Sequence, residues 1–104
     1  MNNQIVKQQP KFSMVIQSDK FQKLINDTLG DKERARRFVA SISSAVASNP
    51  QLQECTPNTI LVGALLGESL NLSPSPTLGQ YYLVPFNNTK LGVKEATFIL
   101  GLTI

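Results

Sequence analysis

Gly67-Glu68-Ser69-Leu70-Asn71-Leu72-Ser73-Pro74-Ser75-Pro76, continuing through Leu78-Gly79-Gln80-Tyr81-Tyr82-Leu83-Val84-Pro85-Phe86, decides how this chain is read. It carries the end of an apolar helix through two prolines and a glycine into an extended, aromatic strand. Just upstream, Thr56-Pro57 marks the helix start, with Thr56 as cap and Pro57 at the first helical position, where a missing N–H costs nothing. Ile60, Leu61, Ala64, Leu65 and Leu70 are apolar, and so are Val62 and Leu66. A helix over about 57–72 that is apolar on most sides is buried on most sides, in the domain centre or against another subunit. Gly63 and Gly67, four apart, leave a flat strip where another backbone can approach, and Glu68 reads as an exposed C-terminal charge. Downstream, Gln80–Phe86 reads as a strand, with Pro85 at an edge or bulge because it cannot donate to a ladder. Asn87-Asn88-Thr89-Lys90-Leu91-Gly92 carries turn chemistry. Glu95–Gly101 reads as a second strand, with Ala96, Phe98 and Leu100 on one face. An antiparallel hairpin over about 80–101 follows, and it needs the helices for support because two strands alone are marginal in water.

Toward the N-terminus the pattern is helical. Asp31 caps a helix over about 31–48, with Glu33 in its first turn and an apolar stripe of Phe38, Ile42, Ala45 and Val46. Its other side carries Lys32, Arg34, Arg36 and Arg37, which suits either a solvated face or contact with phosphates. Asn49-Pro50 ends it. Ser18 or Asp19 caps a first helix over about 18–29, with Phe21, Leu24, Ile25 and Thr28 at buried-face spacing and Gly30 as a left-handed C-terminal cap. Residues 1–17, polar and interrupted by Pro10, are expected to be a flexible arm, although Phe12, Met14, Val15 and Ile16 are able to dock. The fold class expected is α+β: three N-terminal helices followed by an antiparallel β-hairpin, with residues 18–104 as one unit.

Composition excludes several chemistries. There are 104 residues, 41% of them hydrophobic, and the net charge is +3, compatible with nucleic acid or simply with solubility. There is no histidine, so the usual base for a serine or cysteine nucleophile is absent, and so are Cys/His zinc sites. The one cysteine, Cys55, lies at a helix entrance; a half-buried small apolar residue suits it better than an activated thiolate. The seven carboxylates do not pair at a spacing suited to hydrolysis, and no phosphate loop is present. The expectation is a protein that is not an enzyme and has no cofactor or metal. No apolar run reaches bilayer length and no signal-peptide core is seen, so a cytoplasmic, non-membrane setting is expected.

What remains is nucleic-acid binding. Tyr81, Tyr82, Phe86 and Phe98 lie on or beside strands, near Lys90 and Lys94 at the hairpin tip. Aromatic platforms with nearby cations suit single-stranded DNA, where each stacked base contributes about 1–3 kcal/mol; the same aromatics also suit a core-facing sheet. Adjacent Tyr81 and Tyr82 point to opposite faces, so at most one is in the core.

Glu68-Ser69-Leu70-Asn71-Leu72-Ser73-Pro74, then Leu78-Gly79-Gln80-Tyr81-Tyr82-Leu83-Val84-Pro85-Phe86, then Lys94-Glu95-Ala96-Thr97-Phe98-Ile99-Leu100-Gly101 resemble the RecT family of phage recombinases, the single-strand annealing proteins. The resemblance extends back through the Arg34–Val46 helix and covers most of the chain from about residue 18. It implies a protein that coats single-stranded DNA, anneals complementary strands without nucleotide hydrolysis, forms rings or helical filaments as a homo-oligomer, and works beside a partner exonuclease of the RecE type. It makes Arg34, Arg36, Arg37, Tyr82, Lys90 and Lys94 candidate DNA contacts, and Leu61 and Leu65 candidate subunit contacts. Family members continue after a pair such as Leu100-Gly101 with a Tyr-basic-Gly segment and much more helix and strand. Here Leu102-Thr103-Ile104 follows, so an incomplete annealing-protein fold, from a truncated product or an N-terminal fragment, is expected. The alternative function is a DNA-inactive interaction module, docking through the 60–72 helix and the Phe38/Ile42/Val46 stripe.

Overall fold

Ser18 and Asp31 each turn the chain into a helix by accepting backbone N–H bonds with their side chains, Ser18 from Phe21 at 3.3 Å and Asp31 from Glu33 at 2.8 Å. The computed structural model describes residues 11–74 and 78–101. Its elements run in the order α1 (Phe12–Val15), α2 (Asp19–Leu29), α3 (Lys32–Ala47), α4 (Pro50–Gln53), α5 (Pro57–Ser69), β1 (Tyr81–Asn88) and β2 (Val93–Leu100). The α+β class and the antiparallel hairpin stand as expected. Gly30 adopts φ 70° and closes α2 in the left-handed conformation.

Two short helices add to the expected three. The stretch read as a flexible arm contains α1, and its Phe12 and Ile16 are 4% and 1% exposed in the core. Burying two large apolar side chains overcomes the polar composition around them. Residues 1–10 of the expected arm lie outside the described residues. Asn49, rather than only ending α3, caps α4 by accepting from the Gln51 N–H at 3.1 Å. The third expected helix ends at Ser69 instead of 72, because Asn71 takes φ 60°. The Asn71 N–H then bonds the Glu68 carbonyl and the Leu72 N–H the Gly67 carbonyl, both at 2.9 Å. This is a Schellman closure with asparagine in the position that glycine usually fills.

The core gathers Phe21 and Ile25 of α2, Phe38, Ile42 and Val46 of α3, and Ile60, Leu61 and Ala64 of α5. The hairpin lies on α5 through the two glycines. A Cβ on Gly63 would sit 2.6 Å from Leu83 Cδ2, and one on Gly67 would sit 2.6 Å from Tyr81 Cζ. The flat strip thus receives side chains of β1, not a bare backbone. Its two glycines are four residues, about 6 Å, apart along the helix, and Leu83 and Tyr81 are two residues, about 6.8 Å, apart along the strand. Tyr81 is 2% exposed and stacks on Phe98 with ring centroids 5.1 Å apart.

In the hairpin Tyr81 opposes Leu100 and Pro85 opposes Ala96. The Gly101 N–H bonds the Gln80 carbonyl at 2.8 Å, which makes 80 and 101 a hydrogen-bonded pair. Counting inward, Pro85 falls on a non-hydrogen-bonded pair, where its missing N–H would point away from β2. That is why a proline is tolerated here. Lys94 and Ala96 also turn their backbone groups outward, and α5 meets them: the Thr56 N–H bonds the Lys94 carbonyl at 2.9 Å and the Ala96 N–H bonds Thr59 Oγ1 at 3.0 Å.

Candidate nucleic-acid interface

The basic face of α3 divides residue by residue. Arg34 is only partly exposed and turns its guanidinium toward the end of α5. Its Nε lies 2.8 Å from Glu68 Oε2, and its Nη2 donates to the Glu68 carbonyl at 2.8 Å and to Asn71 Oδ1 at 3.4 Å. A cation over the last carbonyls of α5 complements that helix's dipole and holds α3 to the Schellman turn. Glu68 is therefore a half-buried partner, not an exposed terminal charge, and Arg34, expected as a phosphate contact, is placed in an ion pair within the fold. Arg36 is exposed and only loosely paired, with Nη1 3.8 Å from Glu33 Oε1. Arg37 is exposed at the mouth of a cleft bounded by Ser41 and residues 71–74.

The hairpin cations part in the same way. Lys94 Nζ bonds Glu54 Oε1 at 2.6 Å, beside the bridge between Cys55 and Lys94 that docks β2 on the α4–α5 connection. Expected as a DNA contact, its ammonium is placed against a partner of opposite charge within the chain. Lys90 sits exposed in the turn after β1. Tyr82 is 44% exposed on the outer face of the sheet, opposite the buried Tyr81. Val84, Phe86 and Ile99 share that outer face, which nothing covers among the described residues.

Arg37 and Tyr82 occupy the two ends of one groove along α3. Three clefts adjoin through Pro74. The first holds Arg37 and Ser41, the second Ser41, Ser44 and Ser48, and the third Ser48, Asn49, Tyr81 and Tyr82. The last encloses about 200 Å³. Sequence reasoning passed over these serines, although 41, 44 and 48 recur at helical spacing and so share one face.

Leu61 and Leu65, expected as subunit contacts, lie in the interior. Leu61 is fully buried and Leu65 nearly so, both packed in this chain's own core. The apolar residues that α5 turns outward are Val62 and Leu66, 56% and 46% exposed. The Phe38/Ile42/Val46 stripe is likewise spent on the core and is not available for docking. Cys55 is 1% exposed, and burial pushes its thiol up to about 11, the reverse of an activated nucleophile. Burial similarly pushes the Tyr81 phenol up to about 12. No cluster of three or more metal-ligating side chains occurs among the described residues, and no described helix is long and apolar enough to cross a membrane.

Fold and surface define a small α+β unit with a donor-lined groove beside an apolar sheet face that is uncovered among the described residues. The RecT family model matches residues 36–103, from the middle of α3's basic run to past β2, and the chain belongs to the RecT family. Membership associates it with phage-type recombination and strand annealing. No curated protein and no solved structure gives a significant match.

Proposed function

We propose that this chain is a single-stranded DNA binding and annealing protein of phage-type homologous recombination, acting stoichiometrically as a homo-oligomer. The observation that carries this reading is the family match over residues 36–103, which takes in the exposed Arg36, Arg37, Tyr82 and Lys90. In this reading phosphates are neutralised by exposed arginine and lysine, bases stack on exposed aromatic faces, and assembly along the strand supplies cooperativity. The reading includes a ring or helical filament, a RecE-type exonuclease as partner, and action in the bacterial cytoplasm. Neither nucleotide hydrolysis nor a cofactor enters it.

The test is a titration of a labelled oligonucleotide at low salt, followed by annealing of two complementary labelled strands. Saturable binding and faster annealing are expected. Absence of both at low salt would overturn the proposal. The exposed Val62, Leu66 and sheet-face residues favour one second reading, an interaction module that docks to other subunits without touching DNA. Light scattering separates the two: assembly that grows with added oligonucleotide favours annealing, and assembly indifferent to it favours the module.

A further inference from the structure

We infer that the groove along α3 is the track that holds the DNA strand, with its phosphates hydrogen-bonded by Arg37, Ser41, Ser44 and Asn49 and a base stacked on Tyr82. This rests on the proposed single-stranded DNA binding and says where and how the strand lies. The groove walls offer donors. Arg37 supplies a guanidinium at one end. Ser41 and Ser44 follow one and two turns later, and neither hydroxyl has a partner among the described residues. Asn49 spends its Oδ1 on the Gln51 N–H, which leaves its amide N–H groups to donate. Among the described residues the only carboxylate in the groove wall, Glu68, is already neutralised by Arg34.

From residue 37 to residue 49 the groove runs about 18 Å at helical rise. That accommodates no more than about five nucleotides at 3.4 Å per phosphate of a stacked strand. Tyr82 then stands where the track meets the sheet, with its ring exposed for stacking. The outer sheet face offers the phosphates far less. It carries Val84, Phe86, Ile99 and the Glu95 carboxylate, which accepts from Asn88 at 3.2 Å, with Lys90 exposed in the turn at its tip. Apart from Arg37 the track is neutral, so contact here depends less on salt than contact with a lysine cluster would.

Charge substitutions of opposite sign test the assignment with a homopolymeric oligothymidine probe followed by fluorescence anisotropy. Ser41 and Ser44 are exposed on α3, and circular dichroism melting checks that each variant folds. The double variant Ser41→Glu, Ser44→Glu should bind at least about tenfold more weakly by placing two anions against the phosphates. Ser41→Lys should bind more tightly and steepen the salt dependence by about 0.7 in slope. Tyr82→Ala should weaken binding about fivefold to a hundredfold through lost stacking. Thr97→Glu, on the outer sheet face, should leave binding unchanged. Wild-type-like binding by both Ser41 variants, or weakening confined to Thr97→Glu, overturns the track while the DNA-binding reading stands. Failure of the wild-type chain to bind the probe overturns both.

Discussion

Gly67 is a position where one methyl group decides whether the hairpin can seat. Replacing it by alanine ordinarily favours a helix by about 1 kcal/mol. Here the new Cβ would meet the ring of Tyr81, which is held between α5 and Phe98 and would have to shift. Gly67→Ala is therefore expected to destabilise by about 1–3 kcal/mol despite the better propensity. Thermal melting checks this, and coupling to Tyr81→Leu in a double-mutant cycle identifies the clash as the cause. Gly79 and Gly101 show the same constraint in backbone form, since a Cβ on Gly101 would lie 2.8 Å from the Gly79 carbonyl carbon. Cys55 and Tyr81 give the residue scale a pH signature. Both are raised in the fold, from 9.0 to about 11 and from 10.0 to about 12, chiefly by burial. The unfolded chain loses these protons first, so between pH 9 and 11 it binds fewer protons than the native state and stability falls as pH rises. Melting temperatures from pH 8 to 11 should decline, and Cys55→Ala should flatten the part of the decline that begins near pH 9. An unchanged slope in that variant would refute the assignment to Cys55.

At the scale of elements, the Glu68-to-Leu72 stretch ties α3 to the end of α5. Arg34 serves the Glu68 carboxylate, the Glu68 carbonyl and the Asn71 amide oxygen together, so removing it costs more than one exposed ion pair. Arg34→Ala is expected to destabilise by about 1–2 kcal/mol, because the pair is only partly screened by solvent and Glu68 is left without its partner. A cycle with Glu68→Gln, followed by urea denaturation, should return a favourable coupling; a coupling near zero would show the clasp to be dispensable. The two longer N-terminal helices and α5 were legible because caps, dipole-matched acids, Pro57 and apolar spacing all agree over 11 or more residues. Helices α1 and α4 were not legible, since four residues carry no period and their formation rests on burying Phe12, Ile16 and Leu52. Within the candidate site, residues that look equivalent in sequence are placed differently by the fold. Arg34 and Arg37 look alike in sequence, and what separates them is Glu68, brought from 34 positions away by the packing of α5. Lys94 differs from Lys90 for the same reason, through Glu54 at a separation of 40.

For the whole molecule, that division of cations becomes a measurable property. The net charge of +3 suggests a uniformly basic chain, but its cations serve two purposes. Arg34 and Lys94 hold elements together through ion pairs of 2.8 and 2.6 Å. Arg37 and Lys90 face solvent, and Arg36, paired at 3.8 Å with an exposed glutamate, is nearly as available. A phosphate contact releases a counterion and adds about 0.7 to the slope of log affinity against log salt for single strands, whereas an internal ion pair adds nothing to it. Arg37→Ala should therefore reduce the slope by about 0.7 and leave the melting temperature within about 2 °C of wild type, as surface substitutions usually do. Arg34→Ala and Lys94→Ala should instead lower the melting temperature and keep the slope. Anisotropy titrations across a salt series, paired with thermal melts of the same preparations, read both quantities. A fall in slope for Arg34→Ala or Lys94→Ala with unchanged melting would mean that those ion pairs open when DNA arrives, and would return both residues to the binding surface.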